Sequence, residues 1–136
     1  MKTVLTVGVF DLLHWGHFEL FRRCKELAGE SGRLVVAVQD DDVVTKYKPN
    51  TKLVYDWATR RNMISALRYV DLVVPYGDID ESIKQIEFDV FAIGGDQTHA
   101  GFQRAVAWCK ANGKEVVRMG RTEGISATQI RAGKVL

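Results

Sequence analysis

Cysteine is scarce in this 136-residue chain: only Cys24 and Cys109 occur, and no Cys-x-x-Cys spacing joins them. That excludes a disulfide framework and a thiolate-rich zinc site, and both thiols fall within helical patterns as small core or surface groups. A surplus of one charge is also missing. Nineteen Lys and Arg face 17 Asp and Glu, a net charge of +2, which is too small to argue for nucleic acid or membrane as a partner. No apolar run approaches the length of a membrane span. The opening Met1-Lys2-Thr3 leads into apolar residues alternating with threonines, unlike the continuous apolar stretch of a signal peptide, so cytoplasm is the expected location. Repeats and low-complexity tracts are absent. What remains is a globular composition, 46% hydrophobic and 26% charged. One domain over residues 1–136 can bury its core without disulfides or a structural metal.

Segments of β-branched residues alternate with longer amphipathic stretches, the pattern of βαβ units around a buried parallel sheet. Strands are predicted at 3–8, 34–39, 72–74, 90–93 and 115–118. Residues 16–27 place Phe18, Leu20, Phe21, Cys24 and Leu27 near helical period, and Gly29 supplies a stop. Asp56 can cap a helix running to about residue 68, and Asp80 a short one carrying Ile83 and Ile86. A further helix carries Phe102, Ala105, Val106 and Cys109 and ends near Asn112-Gly113. Ser126-Ala127-Thr128-Gln129 fits the capping box of a last helix. The expected fold is α/β, a doubly wound five-stranded parallel sheet with helices on both faces.

After the first strand comes His14-Trp15-Gly16-His17, which puts two imidazoles where a glycine-containing turn feeds a helix. A helix N-terminus offers unpaired N–H groups and partial positive charge, so an anion is stabilised there before any side chain contributes. His-x-x-His also fits a metal site, but no nearby Cys or third His completes a zinc set, and no metal ligands are assigned. The loop from Gly120 through Arg121, Thr122, Glu123, Gly124 and Ile125 precedes the last predicted helix and forms a second potential anion site. In a doubly wound sheet the loops 9–14, 40–48, 94–99 and 120–125 all open on the carboxyl edge, where ligands bind.

The run Gly8-Val9-Phe10-Asp11-Leu12-Leu13-His14-Trp15-Gly16-His17 and the run Arg121-Thr122-Glu123-Gly124-Ile125-Ser126 resemble the two signature motifs of the cytidylyltransferase family, supported between them by Arg68-Tyr69-Val70-Asp71. The resemblance spans nearly the whole chain. It implies a Rossmann-like sheet, a homodimer, and Mg²⁺-dependent transfer of CMP from CTP to a phosphorylated small alcohol or sugar, glycerol 3-phosphate foremost, for a polymer or lipid pathway. By position it places Gly8, Val9, Phe10, His14, Trp15, Gly16 and His17 on the nucleotide, with Lys48, Asp96, and Arg121 through Ser126, Ala127 and Thr128. It puts Asp11, Lys46, Arg60 and Arg68 on the acceptor side, and His14, His17, Lys46 and Arg121 in catalysis. Which of Lys46 and Lys48 is the catalytic lysine stays open. Val9 stands where relatives have threonine, Ala127 replaces a hydroxyl residue, and Gly95-Asp96-Gln97 replaces Asp-Asp-Trp. Gly94-Gly95-Asp96 is also similar to adenylyltransferases acting on heptose phosphates. An adenylyltransferase using ATP on a sugar phosphate or flavin precursor, and a non-catalytic nucleotide-binding module, therefore stay as alternatives.

Overall fold

The computed structural model describes residues 1–95 and 97–120. Five strands, β1 (Thr3–Gly8), β2 (Arg33–Gln39), β3 (Leu72–Tyr76), β4 (Val90–Gly94) and β5 (Glu115–Met119), pair in the order β3-β2-β1-β4-β5. Every pairing is parallel. The helices are α1 (Trp15–Ala28), α2 (Asp41–Tyr47), α3 (Trp57–Ser65), α4 (Ile79–Ser82) and α5 (Ala100–Ala111), with a single 3₁₀ turn, Ile83–Gln85, after α4.

Strand residues alternate between faces, so each β-branched run feeds two cores. On one face Val4, Leu34, Val36 and Val90 pack with Phe21 and Cys24 of α1 and Ile64 of α3. On the other, Leu5, Val35, Ala37 and Phe91 pack with Ile79, Ile83 and the α5 residues Phe102, Ala105 and Cys109. The connection after β1 therefore runs to one face and the connection after β4 to the other. This is the topological switch that opens a ligand crevice between β1 and β4. Register agrees: β1 pairs with β2 along its whole length, but with β4 only at Val4↔Val90 and Leu5↔Phe91. Where the two strands part, the Gln97 amide spans the gap, accepting from Gly94 N–H at 2.9 Å and donating to the Val7 carbonyl at 3.1 Å.

The predicted strands stand, each within two residues of its expected ends. β3 continues past its expected end through Pro75, which pairs with Val38; an edge strand tolerates a residue with no N–H to give. One helix was not expected. α2 occupies the stretch read as loop 40–48, with Asp40 as N-cap, Asp41 and Asp42 in its first turn, and Pro49 just past its C-cap Lys48. Seven residues are too few to display a helical period, although acids at the start are helix-favouring. α3 ends at Ser65, short of residue 68, because a turn there, with Leu67 N–H on Ile64 O at 3.0 Å, lets Leu67, Tyr69 and Val70 pack on the core. The short helix is capped at Asp78, and Asp80 lies in its first turn instead. Both cysteines are buried, which pushes the thiol of Cys24 up to about 12 and that of Cys109 to about 11. The helix predicted to start at Ser126 lies outside the described residues.

Candidate functional site

A cavity of about 870 Å³ opens at the carboxyl ends of the strands. Gly8, Val9, Phe10, Asp11, His14, Gly16 and His17 line it from the β1–α1 connection, and Lys48 lines it from the end of α2.

The β1–α1 connection is shaped by Phe10. Its φ of 52° is the left-handed conformation that non-glycine residues rarely adopt. The turn folds the Phe10 ring back over Gly8, where a Cβ would lie 2.8 Å from the ring. The same ring meets His17 edge-on at 5.3 Å between centroids and Phe21 at 5.2 Å. Gly8 thus makes room for the aromatic floor on which His17 rests. Asp11 is buried, and its carboxylate accepts from Val54 N–H at 2.8 Å and Tyr55 N–H at 2.9 Å, tying the segment before α3 to this connection.

His14 is the N-cap of α1. Its Nδ1 accepts from Gly16 N–H at 3.0 Å, while its own N–H donates to Nδ1 of His17 at 3.2 Å. This is a capping box made of imidazoles, and it has a chemical consequence. A ring nitrogen that accepts cannot carry a proton, so both rings are neutral and both hold their hydrogen on Nε2. The rings stack at 3.9 Å, an arrangement hostile to charge on both. Burial first, and repulsion from His14 second, lower the pKa of His17 from 6.5 to about 3. The cap therefore delivers two uncharged N–H donors to the wall of the cavity.

Arg60, expected on the acceptor side, is buried instead. Its guanidinium donates to the Val9 carbonyl at 2.8 Å, to the Tyr55 carbonyl at 3.2 Å and to the Asp41 carboxylate. Asp41 also accepts from Trp57 N–H at 3.1 Å, and Trp57 Nε1 donates to Val38 O at 3.0 Å. Arg60 thus braces the β1–α1 connection against the start of α2, the helix that carries the lysines. Arg68 is exposed against the Tyr69 ring, beyond the end of α3 and before β3, at the sheet edge away from the crevice. Neighbouring Asp71 accepts from Leu34 N–H at 2.8 Å and Lys25 at 2.6 Å, tying this stretch to β2 and α1.

Lys46 lies beside the cavity, 3.9 Å from Asp78 and over the Tyr47 ring, and Trp15 projects outward with 60% of its surface exposed. Asp96 and the run from Arg121 to Thr128 lie outside the described residues. Tyr47, Gln97 and His99, from the loops 40–48 and 94–99 expected on this edge, line the cavity without having been singled out, and Asp78, Asp80 and Arg104 are lining residues outside those loops. One had a visible signal. His99-Ala100-Gly101 repeats the His-x-Gly spacing of His14-Trp15-Gly16, and His99 caps α5 in the same way, its Nδ1 accepting from Gly101 N–H at 3.1 Å. Among the described residues no three His, Cys, Asp or Glu converge in a way that would hold a metal ion, and no helix is long and apolar enough to cross a membrane.

A family model described as cytidylyltransferase-like matches residues 5–133. The chain is 38% identical to a glycerol-3-phosphate cytidylyltransferase of Staphylococcus aureus, over 96% of this chain and 93% of that protein. It is 37% identical to a Bacillus subtilis protein of the same name, over 96% of this chain and 95% of that protein. Among solved structures, a lipopolysaccharide core biosynthesis protein of Thermoplasma volcanium superposes with a TM-score of 0.74 at 28% identity, covering 90% of this chain and 99% of that one.

Two outcomes follow from the geometry. The unfolded chain protonates His17 near pH 6.5 and the folded chain only near 3, so stability present above pH 6.5 is lost as the pH falls between those values. In urea titrations from pH 7.5 to 4.5, His17→Gln flattens this decline by on the order of 1 kcal/mol per pH unit; an unchanged slope counts against the neutral imidazole. Arg60→Gln lowers stability by about 3 kcal/mol in chemical denaturation, because the fork's acceptors lose their donors. A raised acceptor KM with stability intact would return Arg60 to the acceptor side.

Proposed function

The chain belongs to the cytidylyltransferase-like family, and from that premise we infer that it transfers CMP from CTP to an alcohol phosphate, glycerol 3-phosphate, with release of pyrophosphate. The observation that carries this reading is the pair of Nε2–H imidazoles at the start of α1, set over the crevice between β1 and β4. Two relatives of near-equal length bear the name of this activity.

An oxygen of the acceptor phosphate attacks the α-phosphorus of CTP. A new P–O bond forms, the bond to the bridging oxygen breaks, and pyrophosphate carries away the electron pair. A phosphate monoester has its second pKa near 6, so at neutral pH the nucleophile is already a dianion and needs no general base. The obstacle is repulsion between anions and the charge growing on the α-phosphate and bridging oxygens, which makes positioning and electrostatic stabilisation the main contributions.

His14 and His17 meet that demand as neutral donors to those oxygens, with no proton transferred. Gly16, lacking a side chain between them, lets the nucleotide approach the backbone. Lys48 in the cavity and Lys46 beside it draw the two anions together, and Arg121 holds the leaving group by its two-pronged fork. A magnesium ion bound with the nucleotide would supply neutralisation of phosphate charge. Two further readings belong here: a homodimer, to which the exposed Trp15 is suited, and a cytoplasmic location, where two free buried thiols are at home.

Pyrophosphate release with CTP or ATP, each with and without glycerol 3-phosphate, tests the reaction. Release that requires both CTP and glycerol 3-phosphate is expected. ATP replacing CTP would make the chain an adenylyltransferase, and binding without release under any acceptor would make it a nucleotide-binding module. His17→Ala lowers kcat by more than it weakens CTP binding, since its contact strengthens as charge develops; equal losses in both would contradict the role.

A further inference from the structure

The two walls of the cavity differ in chemistry. The wall at α1 offers donors: the capped helix start and the two Nε2–H imidazoles. The wall built on the other face of the sheet carries carboxylates. Asp78, the N-cap of α4, accepts from the Tyr47 hydroxyl and lies 3.9 Å from Lys46 Nζ. Asp80 accepts from Arg104 Nε at 2.7 Å. Tyr47, Asp78, Asp80 and Arg104 all line the cavity, brought there from α2, the N-cap and first turn of α4, and α5. The side chains of Asp78 and Arg104 keep 37% and 63% of their surface exposed, within reach of a ligand.

This wall sorts ligands by charge. Among the described residues, two carboxylates set against Lys46 and Arg104 balance its charge. A phosphate placed against Asp78 or Asp80 would face carboxylate oxygens, so the phosphates belong toward α1 and the exposed ends of Lys46 and Lys48. An ammonium group would find both carboxylates already paired, Asp78 with Lys46 and Asp80 with Arg104. Alternating carboxylate, phenol and guanidinium groups instead complement hydroxyls, which both donate and accept.

We propose that Tyr47, Asp78, Asp80 and Arg104 form the subsite that reads the hydroxyl-bearing end of the acceptor, making the chain selective for polyol phosphates over alkyl and amino-alcohol phosphates. The proposal rests on the cytidylyl-transfer reading above. The acceptor spans the cavity, its phosphate at the donors of α1 and its hydroxyls against the paired wall. Asp78 is the main reader, because the β3–α4 connection holds it between Tyr47 and Lys46. Arg104 keeps Asp80 ionised: the pKa of Asp80 is lowered first by that hydrogen bond.

Pyrophosphate release at saturating CTP is measured with glycerol 3-phosphate, propyl phosphate and ethanolamine phosphate, for the wild type, Asp78→Asn and Tyr47→Phe. The wild type prefers glycerol 3-phosphate to propyl phosphate in kcat/KM, since a site built for hydroxyls rejects an analogue that lacks them. Each substitution reduces that preference by about tenfold, while KM for CTP holds. An undiminished preference, an equal loss with both acceptors, or a wild type that favours ethanolamine phosphate would overturn the subsite while leaving cytidylyl transfer in place. No release with any of the three would overturn the reaction itself and take the subsite with it.

Discussion

Two hydrogen bonds at the start of α1 govern the site. Gly16 N–H on His14 and His14 N–H on His17 each occupy a Nδ1 nitrogen, so the backbone itself selects the tautomer of both imidazoles. Other features of the connection serve this arrangement. The left-handed Phe10 puts its ring under His17, Gly8 leaves room for that ring, and the burial it creates keeps His17 uncharged. For phosphoryl chemistry this is an economical solution. Neutral donors fixed in advance stabilise charge as it appears, without the reorganisation that a solvated cation would need.

The sheet supplies the place for these donors. β1 and β4 separate after Leu5 and Phe91 because their helices leave to opposite faces, and the Gln97 amide closes the floor of the opening. Arg60 and Asp41 then brace α2 against the β1–α1 connection, so that lysines and histidines on different elements keep one geometry. A charge buried this deeply contributes by position, since its desolvation cost offsets much of its attraction to Asp41.

Much of this was legible in the sequence. The parallel sheet, its five strands and the imidazole pair at a helix start followed from β-branched runs, helical periodicity and the His14-to-His17 spacing. Three things were not. α2 is too short to show a period. Arg60 looks, as a bare arginine in a motif, like a ligand for an anion; only the partners that folding delivers, Val9, Tyr55 and Asp41, reveal a brace. The carboxylate wall joins Tyr47 of α2, Asp78 and Asp80 at the start of α4, and Arg104 of α5, three stretches too far apart in sequence to show a shared spacing.

Nitrogen NMR of the histidine side chains addresses the central claim most directly, because it reports which ring nitrogen carries hydrogen. In the ligand-free protein at pH 7, His14 and His17 should both show an unprotonated Nδ1 and a protonated Nε2. An imidazolium at either position, or hydrogen on Nδ1, would contradict the account.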